Sequence, residues 1–172
     1  MVSGNPAFSM DTGEMETITA NARKAVVCIL TRLQSTLISG DSQEVRLAQQ
    51  TLDLAVSNYA VAGETLEKVR RGESVSDFIM PACNDIADEV VNICNLIGAG
   101  NLESAQLAYE TSSSIYSSLP PPANAAQIPA GLADLEVQIM AATAEAATIL
   151  SGAGREGKGA IETLETKPAS PI

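Results

Sequence analysis

Apolar positions recur along this chain at intervals of three and four residues, and no segment alternates with a period of two. That spacing is the mark of amphipathic helices, so the fold class is all-α, a helical bundle of about five helices. The first stripe, Ile18, Ala22, Val26, Ile29, Leu33 and Leu37, predicts a helix from about Thr12 to Ser39, ended by Gly40. A second opens at Asp41, whose carboxylate can cap exposed amides while Glu44 completes a capping box. Its stripe runs Val45, Ala48, Leu52, Ala55, Tyr59, Ala62, Leu66 and Val69, and Arg70-Arg71-Gly72 stops it.

Ser74, Ser76 and Asp77 offer caps for a third helix, which tolerates Pro81 in its first turn and carries Ile79, Cys83, Ile86, Val90, Ile93 and Ile97 on one face. Gly98-Ala99-Gly100 ends it and Asn101 caps a fourth, whose apolar face passes through Leu102, Ala105, Ala108, Tyr109, Ser112, Ile115, Tyr116 and Leu119. Three successive prolines, Pro120 to Pro122, then Pro129, mark a connector that serves as a hinge. A fifth, alanine-rich helix follows, with Leu132, Leu135, Ile139, Ala142, Ala146 and Ile149 on one face, and Ser151-Gly152-Ala153-Gly154 stops it. The organisation is thus a flexible N-terminus at 1–11, two antiparallel helical hairpins at 12–71 and 75–119, a connector at 120–130, a fifth helix at 131–151 and a flexible tail at 152–172.

Shifted by sixty residues, Gly40 falls on Gly100, Asp41 on Asn101, Leu47 on Leu107 and Thr51 on Thr111, and the upstream stripe stays in step. Duplication of one hairpin explains this, and so does convergence, because any helix pair joined by Gly-Asp or Gly-Asn shows a break, a cap and a resumed stripe. Either way the motif is structural. Gly100 to Ala105, GNLESA, resembles the start of the second helix in a tetratricopeptide repeat, but that family repeats every 34 residues with large aromatic positions.

Composition narrows the chemistry. With two Phe, three Tyr and no Trp among 172 residues, the core is made of Ala, Leu, Ile and Val, which suit closely packed helices. A formal net charge of −11 repels phosphate backbones and argues against nucleic acid and anionic membrane as partners. No apolar run reaches the roughly 20 residues a bilayer span needs, and the first residues lack the form of a secretory signal. The expected location is the cytoplasm, or outside the cell by a route without a conventional signal peptide.

The chain has no histidine, which removes the usual base of nucleophilic triads and the commonest zinc ligand. Cys83 and Cys94 lie 11 residues apart on one helix face, roughly 16 Å along the axis, so they cannot bond to each other; buried free thiols are expected for Cys28, Cys83 and Cys94. GAGREGKG, Gly152 to Gly159, has Gly159 where a phosphate loop requires a hydroxyl, and reads as a linker. Asp85, Asp88, Glu89 and Asn92 share the polar side of helix three and read as a solvated face.

MPACND at Met80–Asp85 and AGN at Ala99–Asn101 resemble the bilin-attachment and helix-break segments of the phycobiliproteins, without that family's neighbouring arginines or pocket aromatics. The resemblance implies a thioether-linked tetrapyrrole on Cys83, with Asp85 near the pyrrole nitrogens. What remains is surface for protein contact. The reading is a non-enzymatic helical protein without a cofactor or metal, associating with itself as an oligomer, filament or shell. The interface candidates are Tyr109, Ile115, Tyr116, Leu135, Ile139 and Ile149. The alternatives are a monomeric adaptor or chaperone holding another protein between its hairpins, and the covalent bilin carrier.

Overall fold

The computed structural model describes residues 10–124 and 127–156, and the helical periodicity carries over into it. The helices are α1 at Thr12–Ser39, α2 at Ser42–Arg70, α3 at Ile79–Gly98, α4 at Leu102–Tyr116 and α5 at Glu136–Glu156, with a 3-10 turn at Ala130–Leu135 leading into α5. Among the described residues there is no strand. The protein is an all-α bundle.

The helix ends follow local chemistry. Asp41 Oδ1 accepts from the amides of Gln43 and Glu44 at 3.0 Å each, so the carboxylate caps α2, but Glu44 contributes its amide rather than its side chain. The reciprocal box forms instead at α1, where Glu14 donates its amide to Asp11 at 2.7 Å and Asp11 donates its own to Glu14 Oε1 at 3.3 Å. Ser74, Ser76 and Asp77 do not cap α3: its N-cap is Phe78, with no side-chain hydrogen bond. Pro81 supplies part of the reason, since it removes one of the first-turn amides that a cap would serve. Gly40 and Gly100 both adopt left-handed backbone, with φ of 74° and 79°, and turn the chain from the first helix of each hairpin into the second.

α4 ends at Tyr116, three residues short of the expected Leu119, because Pro120 to Pro122 have no amides to donate to the carbonyls of Tyr116, Ser117 and Ser118. α5 runs through Gly152 to Glu156. Glycine inside a helix costs only about 1 kcal/mol relative to alanine, and Gly152 keeps a negative φ, so it does not act as a stop. Residues 1–9 and 157–172, which hold most of the expected flexible ends and the last three residues of the GAGREGKG stretch, lie outside the described residues.

Directions are set by side-chain contacts. Arg70 at the end of α2 reaches Glu16 at the start of α1 at 2.6 Å, so the first hairpin is antiparallel. α3 runs alongside α1, with Asn21 beside Asn84 and, farther along, Arg32 Nε donating to the Cys94 carbonyl at 3.1 Å. α4 packs on α3 and α2, and α5 packs on α1 and α2. The order is therefore three layers: α5, then the α1–α2 hairpin, then the α3–α4 hairpin. The middle layer is covered on both sides, and Ile29, Leu33, Leu52, Ile86, Ile93 and Leu132 are fully buried along it. Two polar side chains sit among them: Thr51 donates to the Leu47 carbonyl of its own helix at 2.8 Å, and Asn58 Nδ2 donates to the Cys83 carbonyl at 2.9 Å, while Asn58 Oδ1 has no partner among the described residues.

Candidate functional site

The alanine-rich fifth helix is held by its own bundle. Leu132, Ile139, Ala142 and Ala146 are buried against α1 and α2, with Leu135, Ile149 and Leu150 half-buried beside them. Its entry turn is locked from two directions. Tyr59 on α2 places its hydroxyl where a Cβ on residue 131 would stand, which only Gly131 permits. Arg23 on α1 donates to the Gly131 carbonyl at 3.3 Å and to the Asp134 carboxylate at 2.5 Å, and this hydrogen bond holds the Asp134 carboxyl below its usual range. The connector is not a free hinge either, because the Ala123 amide donates to the Glu64 carboxylate at 2.9 and 3.1 Å.

With the inward stripe so placed, helical geometry sends Val137, Met140, Ala141, Ala144, Ala147, Thr148 and Ser151 outward, and all are exposed. Val137 is 80% exposed and Met140 58%, unusual values for large apolar side chains in one stripe. The spacing 137, 140, 141, 144, 147, 148, 151 repeats every seven residues. No charge lies on this stripe. Glu136 and Glu145 stand at its two edges, along with Thr143 toward Gln49 of α2 and Gln138 toward Gln34 of α1.

The interface residues expected from the sequence are placed differently. Ile139 is only 5% exposed, and Tyr109, Ile115, Tyr116, Leu135 and Ile149 are half-buried and packed on the chain's own core. The reason is that periodicity picks out the most apolar face of a helix, and the bundle claims that face first. Val137 and Met140 were the signal for the outward face, two large apolar residues off the main stripe.

Other candidates separate as well. Cys83 is enclosed in the core, where burial pushes its thiol up to about 12, whereas Asp85 on the same helix is exposed. The two side chains that the bilin resemblance brings together thus face different surroundings. Asp85, Asp88, Glu89 and Asn92 remain on the polar side of α3, where Asn92 donates to Glu89 at 3.3 Å; among the described residues no group of three or more His, Cys, Asp or Glu is placed to hold a metal ion. Cys28 is half-buried, packed at the edge of the core, rather than enclosed in it.

A cavity of about 780 Å³ opens between the C-terminal half of α2 and the connector, near Tyr59, Glu64, Arg70 and Gly131. Of the cations at its rim, Arg70 is paired with Glu16 and Glu67 and Arg71 with Glu73, while Lys68 also lines it. Among the described helices none is long and apolar enough to cross a membrane. No protein-family model matches this chain, and no curated protein or solved structure shows a significant match to it.

Proposed function

We propose that this protein acts without catalysis, by self-association, and that its contact surface is the outward face of α5. The observation that carries this reading is the uncharged stripe from Val137 to Ser151 on an otherwise acidic chain. A molecule of net charge −11 meets its own copy most cheaply across a face with no carboxylate, because like charges brought together and stripped of water repel strongly. The stripe also leaves two large apolar side chains in water, and its alanines allow two helix backbones to approach closely.

Two-fold pairing of α5 with α5 satisfies the same surface on both chains and then closes. A closed dimer is thus the form supported, rather than an open filament or a shell. The stripe is about 21 Å long at 1.5 Å per residue, which buries an area at the small end of specific interfaces, as in weak, concentration-dependent association. The absence of histidine and the burial of Cys83 as a protonated thiol support a role other than nucleophilic catalysis.

Cross-linking tests the geometry. In a background with all three native cysteines replaced, Ala144→Cys sits at the middle of the stripe, where a two-fold pair brings it against its own copy. Mild oxidation should then give a covalent dimer, and Met140→Glu added to the same chain should reduce its yield at least tenfold. Leu107→Cys, exposed on α4, should stay monomeric. Equal yields at residues 107 and 144 would remove α5 from consideration.

A further inference from the structure

Cys28 and Cys94 come from different hairpins, 66 residues apart in sequence, yet their sulfurs face each other across the contact between α1 and α3 at 2.9 Å. The Cys28 thiol donates to the Cys94 sulfur, and the Cys94 thiol lies 3.4 Å from the Cys28 carbonyl oxygen, so the two side chains converge rather than merely share a neighbourhood. Closing to the disulfide length of about 2.05 Å needs a movement of about 0.9 Å, within the reach of side-chain rotation between packed helices. Arg32, one turn beyond Cys28, fixes the register of this contact by donating Nε to the Cys94 carbonyl at 3.1 Å, and its guanidinium lies over Gly98, where a Cβ would intrude. Exposure is graded along the pair: Cys28 is half-buried and Cys94 buried. Cys83 is enclosed three turns earlier on α3 and has no sulfur partner.

We propose that Cys28 and Cys94 are a built-in dithiol that a low-molecular-weight disulfide, such as glutathione disulfide, converts to an intramolecular cystine joining the first hairpin to the second. Cys28, the more accessible, loses its proton and attacks one sulfur of the oxidant, whose S–S bond breaks and releases one thiolate. Cys94 then loses its proton and attacks the Cys28 sulfur, forming the protein disulfide and expelling the second thiolate. The two protein protons end on the two released small thiols, so two protein thiols are oxidised and one small disulfide is reduced. Burial and the Cys94 hydrogen bond push the Cys28 thiol up to about 12, so thiolate is scarce at neutral pH and the reaction is slow. The pair therefore acts as a staple that forms under sustained oxidising conditions rather than as a fast sensor. Closing so long a loop restricts the unfolded chain and raises stability.

The test uses the folded, reduced full chain incubated with glutathione disulfide, then unfolded and treated with a thiol-blocking reagent. The expected product has lost two hydrogens in intact mass, accepts one blocking group, located on Cys83 by peptide mapping, and melts several degrees higher than the reduced form. Cys94→Ser should retain glutathione on Cys28, because the resolving thiol is missing, and Cys83→Ala should oxidise as the native chain does. Three blockable thiols after prolonged incubation, a stable glutathione adduct on the native chain, or a bond to Cys83 would overturn the proposal.

Discussion

A Cβ on Gly131 would overlap the Tyr59 hydroxyl and stand 2.8 Å from its Cζ, whereas a Cβ on Gly98 would meet the Arg32 guanidinium at 2.5 Å. The two clashes differ in what can yield. The Tyr59 ring is half-buried beside the entry turn of α5, and displacing it disturbs that turn; Arg32 can swing its terminal group toward solvent. Gly131→Ala is therefore expected to cost about 1–3 kcal/mol in urea denaturation, an overpacking penalty. Gly98→Ala should stay within about 1 kcal/mol, since the better helix propensity of alanine offsets the rotation of Arg32. Equal losses would mean that Tyr59 does not lock the turn. In the sequence both glycines read only as helix punctuation, because close approach to a residue 72 or 66 positions away leaves no local trace. The same limit hid the Cys28–Cys94 contact, while Gly40, Gly100 and the Asp41 cap, whose work is local, were legible.

Helix boundaries and inward stripes follow from periodicity, and α1 to α3 lie where the pattern of Ile, Leu and Val puts them. The elements misjudged are those whose limits depend on something else: α4 is cut short by the proline run, and α5 continues past a glycine that was expected to stop it. α5 also shows how burial divides one helix. Ala146 is fully buried against the hairpin and Ala144, two residues away, is exposed. Ala146→Leu should destabilise the fold by about 1–3 kcal/mol, by forcing a larger side chain into a filled site. Ala144→Leu should leave unfolding of the isolated chain nearly unchanged and weaken association severalfold, because a larger side chain at the middle of the contact holds the two helix backbones apart. Denaturation at low concentration, combined with a dilution series, separates the two effects. Matching losses of stability would place residue 144 inside the fold rather than on a contact surface.

At the scale of the whole molecule, the chain is a central hairpin covered on one side by a second hairpin and on the other by α5. Charge and the all-α class could be read from composition and spacing, but the layer order could not, since five amphipathic helices admit several packings. That order decides which apolar residues are spent on the fold and which are left outside. It moves the candidate contact from Ile139 and its inward neighbours to Val137, Met140 and the outward alanines. Sedimentation equilibrium of the reduced chain from about 1 to 200 μM, at physiological ionic strength, tests the central claim most directly. The mass should rise from 17.8 kDa toward twice that value and no further, with Met140→Glu shifting the rise to at least tenfold higher concentration. A mass fixed at 17.8 kDa across the range, or a dimer indifferent to Met140→Glu, would contradict association through α5.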